Sequence, residues 1–234
     1  MAISPITGTP GFKTERSAAM RKVRKTNTNA AYLIGHKTID GAKARDLNNT
    51  GDTDVLQPGL VMGKVTASGK YAPSFIGALT ALHDTSVATV SLTIGAAMAT
   101  ELVRRNGATG NITLIGPPTA AGTVVSETEA YSAVNVTTGV VTITATAADF
   151  IAGSFVVVDD GAETPRCLID DGYGIKVTDQ DEADVDAPFC NPLIGGIIDS
   201  SQILDWPSDT SIQAWLVGQL NSSESSGFSF DHNV

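Results

Sequence analysis

Residues 60–73 read LVMGKVTASGKYAP and contain two Gly-Lys pairs, Gly63-Lys64 and Gly69-Lys70. A phosphate-binding loop needs Gly, four residues, then Gly-Lys-Ser/Thr at the start of a helix, so that backbone N–H groups wrap the phosphates and a hydroxyl holds magnesium. Here three residues separate Gly59 from Gly63, Val65 follows Lys64, and Tyr71 follows Lys70. Neither pair offers the hydroxyl. The stretch fits a β-hairpin instead. Pro58-Gly59 makes the entry turn, residues 60–67 one strand, Ser68-Gly69 the tight turn and residues 70–76 the return strand. Lys64 and Lys70 are therefore not expected to bind nucleotide.

The rest of the chain supports a β reading. Its 234 residues are 42% hydrophobic but only 6% aromatic, so the core is built from Val, Ile, Leu and Ala. Alternation and turn residues predict strands over 87–94, 111–115, 123–131, 173–177 and 193–198, with a hairpin turn at Thr137-Thr138-Gly139. Residues 147–158 read as a short helical turn followed by a strand that Asp159-Asp160-Gly161 closes. Two helices are expected. One covers 96–105 with Gly107 as its C-cap and Arg104 and Arg105 in its last turn, where the dipole favours cations. The other starts near Pro207-Ser208-Asp209, runs to 220 and places Ile212, Trp215, Leu216 and Leu220 on one face. The resulting expectation is a mainly β chain. A small β-barrel- or β-sandwich-like core domain is drawn from 51–105 and 166–221. A β-rich insertion lobe spans 106–165, an extended basic arm 1–50 and a Ser-rich tail 222–234.

Charge is divided unevenly along the chain. Residues 1–70 carry 11 Lys/Arg against 5 acids, whereas residues 71–234 carry 4 against 20. The arm concentrates Lys13, Arg16, Arg21, Lys22, Arg24 and Lys25 against Glu15. No aromatic residue alternates with these cations to stack on bases, and the acidic body would repel phosphate, so direct nucleic-acid binding is not expected. The arm is expected to dock on protein. The run Asp179, Asp181, Glu182, Asp184, Asp186 lacks the central glycine of a calcium loop and reads as a solvated acidic loop.

Few residues suggest chemistry. His36, His83 and His232 are scattered, and no nucleophile elbow or dinucleotide fingerprint occurs. Cys167 and Cys190 lack metal-site spacing and are expected to stay reduced. No apolar run reaches the length of a membrane span, and the first residues do not read as a signal peptide. The expectation is a non-enzyme with no catalytic, cofactor or metal site. Trp206 and Trp215 are candidate oligomer contacts, since tryptophan is enriched at interfaces; the competing reading is a helix that seals the core.

Residues 55–73, VLQPGLVMGKVTASGKYAP, resemble the Pro/Gly turn, Gly-Lys-Val-Thr strand and Gly-Lys-Tyr return of head decoration proteins of tailed bacteriophages. Residues 96–125, 170–179 (DDGYGIKVTD) and 194–220 (IGGIIDSSQILDWPSDTSIQAWLVGQL) are similar to stretches of longer phage decoration or cement proteins. The basic arm and the middle lobe depart from the short members. The resemblance implies a structural virion protein, made in the host cytoplasm and placed on the outer capsid surface. There it would bind the major capsid protein as a homotrimer and bridge neighbouring subunits. The alternative is a minor head-fibre or tail adhesin that binds a host surface.

Overall fold

The computed structural model describes residues 22–25, 30–35, 37–86, 90–222 and 227–231. Lys13, Arg16, Arg21, His36, His232 and residues 87–89 of the expected strand lie outside the described residues.

The strands are β1 (Ala31–Tyr32), β2 (Lys37–Ile39), β3 (Val55–Leu56), β4 (Val61–Lys64), β5 (Tyr71–Pro73), β6 (Gly77–Ala78), β7 (Ser91–Thr93) and β8 (Gly110–Gly116). They continue as β9 (Val125–Asn135), β10 (Val140–Ile143), β11 (Phe155–Val158), β12 (Pro165–Ile169), β13 (Ile175–Lys176), β14 (Ala187–Phe189), β15 (Pro192–Asp199) and β16 (Gly227–Asp231). Helix α1 (Ala96–Asn106) falls between β7 and β8, and α2 (Thr210–Ser222) between β15 and β16. The protein is mainly β, and its sheets curl as half-barrels.

An eight-stranded sheet has the order β1-β15-β12-β4-β5-β2-β14, with β16 added alongside β15. A six-stranded sheet has the order β6-β11-β8-β9-β10-β7, and β13 pairs with β3 separately. The second sheet thus draws on residues 77–158, so β6 and β7 join the segment read as an insertion lobe. Within the segment read as an arm, β1 and β2 are strands of the eight-stranded sheet, and Ile39 and Ala44 are fully buried.

Period-two alternation sorts the side chains into layers. In β11 all four residues are buried. Phe155 and Val157 enter a shared core, while Val156 and Val158 face the core under α1. In the first sheet Val61 and Leu168 face the shared core, and Met62, Cys167 and Ile169 face the opposite side. Helix α2 fills the shared core with Ile212, Leu216 and Leu220, each fully buried, and Trp215 packs against it. Asp209 caps α2, accepting the Ser211 and Ile212 N–H groups at 2.9 and 3.3 Å. Gly107, at φ 87°, closes α1 by donating its N–H to the Val103 carbonyl at 2.8 Å.

The quoted stretch is a hairpin. Lys64 faces Tyr71 and Met62 faces Pro73 across β4 and β5. Val65 N–H donates to the Lys70 carbonyl at 2.9 Å, and Gly69 turns the chain at φ 68°.

Two local expectations are corrected. The helical turn expected in 147–153 is replaced by bends, because side chains take the backbone donors. Glu127 accepts the Ala147 and Ala148 N–H groups at 2.5 and 3.1 Å. The strand expected over 173–177 shortens to β13, because Asp171 organises a turn. Its carboxylate accepts the Tyr173 N–H at 3.0 Å and its carbonyl the Gly174 N–H at 2.9 Å.

Candidate functional site

Residues 23–25 of the basic segment run antiparallel to the end of β15. Arg24 bridges to Ile198, Lys25 N–H donates to the Ile197 carbonyl at 3.0 Å, and Asp199 N–H donates to the Val23 carbonyl at 3.1 Å. Val23 is fully buried in the shared core, which fixes the register. Arg24 Nε lies 2.5 Å from Asp170 Oδ2, and its guanidinium sits 5.8 Å over the Tyr32 ring. The Tyr32 hydroxyl donates to the same carboxylate oxygen at 2.7 Å. Burial, reinforced by Asp170, pushes the Tyr32 phenol up to about 12. Arg24 therefore anchors this segment to the body, whereas Lys22 is exposed.

Both tryptophans are partly buried and have intramolecular partners. Trp206 stacks on Phe230 at 5.4 Å. Trp215 lies 6.4 and 6.1 Å from Phe75 and Phe155, whose rings stack at 3.9 Å.

The β4–β5 hairpin borders a polar groove of about 270 Å³ that Lys37, Lys64, Ser68 and Lys70 line. No helix starts at either Gly-Lys pair. Lys70 Nζ is held by Asp186 at 2.5 Å, and Lys64 projects into solvent.

The acidic run is not simply solvated. Asp184 pairs with Arg45, and Asp186 accepts from Lys70 and from the Gly41 N–H. Asp160 pairs with Lys43 at 3.2 Å and with Arg105 at 2.9 Å. Cations of residues 24–70 thus meet acids of residues 160–186 within the fold, which accounts for part of the charge division along the chain. Asp179 organises its own turn, accepting the Asp181 and Ala183 N–H groups at 2.9 and 3.0 Å. Among the described residues, no cluster of His, Cys, Asp and Glu is placed to hold a metal ion.

One cavity was not anticipated. A space of about 220 Å³ lies between the 45–48 loop and the first turn of α1, with Leu60, Phe75, Ile76 and Met98 as walls and Asp205 on its lining. Asp205 Oδ1 accepts from Asn48 Nδ2 at 3.0 Å. Burial pushes the Asp205 carboxyl up to about 6; the nearby Asp46 charge adds to this, and the Asn48 bond opposes it. Asp46 itself is fully buried. Its two oxygens accept the Asn48 and Gln57 N–H groups at 3.0 and 2.9 Å.

His83 is buried against Thr146, 2.8 Å from its hydroxyl, and lines neither cavity. Cys167 is buried and Cys190 exposed. No helix among the described residues is long and apolar enough to cross a membrane. No family model, curated protein or solved structure matches the chain.

Proposed function

We propose that the chain is a structural virion protein that binds the outer surface of a phage capsid lattice and bridges major capsid subunits. One observation supports this reading. Three of the dispersed segments that carry the resemblance pack on one another. Leu56 pairs with Ile175 between β3 and β13, joining 55–73 to 170–179. Leu204 N–H donates to the Gly59 carbonyl at 3.1 Å, joining 194–220 to 55–73. Three of the four segments that carry the resemblance therefore lie side by side in the fold.

In this reading the body is a rigid spacer, and a homotrimer presents the same weak contact several times. Avidity then multiplies the contact. Binding to the assembled shell alone stabilises that state. The exposed Lys22, with Lys13, Arg16 and Arg21 before it, supplies steering charge toward an acidic capsid face. Arg24 acts from within the fold.

Copy number tests the reading. Quantitative mass spectrometry of purified particles should find the chain at on the order of hundreds of copies, as repeated lattice positions require. A handful of copies per particle would favour the adhesin.

A further inference from the structure

We infer that the cavity between the 45–48 loop and the first turn of α1 is a binding site for a single alkyl-ammonium or guanidinium group, with the Asp205 carboxylate as its counter-charge. Asp205 has one oxygen on Asn48, and the other has no hydrogen-bond partner among the described residues. Asp205 is half-buried, no Lys or Arg among the described residues pairs with it, and carboxylates perturbed in this way cluster at functional sites. The walls contributed by Leu60, Phe75, Ile76 and Met98 suit an alkyl stem.

Size narrows the ligand. The cavity holds about 220 Å³. Sites for drug-sized molecules and cofactors span roughly 300–1,000 Å³. The space therefore takes one side-chain-sized group, of lysine or arginine chemistry.

The surrounding charges favour a cation. On the 45–48 loop, Asp46 is not on the lining but its negative charge acts on Asp205, and burial raises its own carboxyl while backbone hydrogen bonds oppose the rise. Arg45 also borders the space, but Asp54 holds its Nε at 2.8 Å and Asp184 holds its Nη2. The first turn of α1 contributes a helix-dipole charge of roughly +0.5, smaller than either carboxylate. The remaining lining residues on Phe75–Gly77 and on α1, Ala97 and Met98, carry no titratable group. The inference does not depend on the virion reading.

The test is an NMR titration of the full chain with n-butylammonium, n-butylguanidinium and n-butanol, following the Ala97 amide and the Met98 methyl. At pH 7.5 the cations should give saturable shifts with half-saturation in the range of about 1–10 mM, and n-butanol should not. Because Asp205 titrates near 6, affinity should fall about tenfold at pH 5, where roughly a tenth of the carboxylate is ionised. Asp205→Asn should weaken binding at least about tenfold at pH 7.5, on the same arithmetic. Ala97→Leu, at an exposed position on the lining, should block the site without disturbing the core. N-acetyl-lysine methylamide separates two sources. Binding as tight as that of n-butylammonium assigns the site to a partner's side chain, and much weaker binding assigns it to a free small amine. Equal binding of n-butanol, no saturation by about 50 mM cation, or unchanged binding in the Ala97→Leu protein would overturn the inference.

Discussion

Arg105 grips Asp160 with two hydrogen bonds, from Nε to Oδ2 at 3.0 Å and from Nη2 to Oδ1 at 2.9 Å, while Nη1 donates to the Pro73 carbonyl at 2.7 Å. The Arg105 side chain is fully buried. Since α1 packs on the six-stranded sheet and Pro73 belongs to the eight-stranded one, this arginine ties the two together. Removing one member of a buried pair leaves the other uncompensated, at about 3–5 kcal/mol. Arg105→Ala should therefore lower the melting temperature by on the order of 10 °C in a thermal scan. Burial raises the Asp160 carboxyl, but the Arg105 bonds and charge outweigh it and hold the group below its usual range. Its stabilisation is thus complete above pH ~4 and is lost as pH falls through the lowered folded value. Asp160→Asn should flatten that acid limb of the stability profile.

Asp205 should show the opposite sign. Its folded value of about 6 lies above the unfolded 3.8, so the folded state holds the proton more tightly. Stability should fall as pH rises from ~4 through ~6. Asp205→Asn keeps an oxygen for Asn48 and removes the loss. After allowing for the carboxylate's remaining contact with solvent, the variant should gain about 1–2 kcal/mol at pH 7.5 and almost nothing at pH 4. Urea unfolding at the two pH values measures this.

The opening Gly-Lys pairs have separable structural tasks. A Cβ on Gly63 would lie 2.0 Å from the Ala162 carbonyl oxygen, so β4 can approach that backbone only with glycine there. A Cβ on Gly69 would meet only Lys64 Cε, at an unstrained 3.8 Å, but the residue sits at φ 68°. Gly63→Ala should cost more than about 2 kcal/mol through backbone displacement, and Gly69→Ala about 1–2 kcal/mol from the left-handed conformation. Lys64→Ala should leave stability within about 0.5 kcal/mol, as exposed substitutions do. Denaturant midpoints of the three variants check the order.

The cysteines should divide by burial. Cys167→Ser places a hydroxyl in the core beside Met62 and Ile169 and should cost about 1–3 kcal/mol. Cys190→Ser should be neutral within about 0.5 kcal/mol. Equal effects in differential scanning calorimetry would contradict the assigned layers.

Local physics made the hairpin at 61–73, both helices and the buried strands legible. Gly69, Gly107 and Asp209 act through bonds to near neighbours, and β11 announces itself as the run FVVV. The pairing of charges was not legible, because it depends on tertiary contacts. Arg45 meets Asp184 across 139 residues and Lys70 meets Asp186 across 116. Read linearly, Arg45 belongs to a basic arm, Lys70 to the return strand of a hairpin and those acids to a solvated loop. The Asp205 cavity left one trace in the sequence, an acid flanked by apolar residues in ILDWP. There the two tryptophans drew the functional reading, while the structure gives each an intramolecular aromatic partner.

The central claim is that this chain recognises an assembled capsid surface. The most direct measurement is co-sedimentation of the purified protein with expanded, DNA-free heads and with unexpanded precursor heads, across a salt series. The account predicts saturable binding to expanded heads and little to precursors. Binding should weaken with salt, and should weaken less for a protein lacking residues 1–21, a truncation that spares the buried Val23 and the Arg24–Asp170 pair. Equal binding to both forms, or none to either while the protein adheres to host cell surfaces, would contradict it.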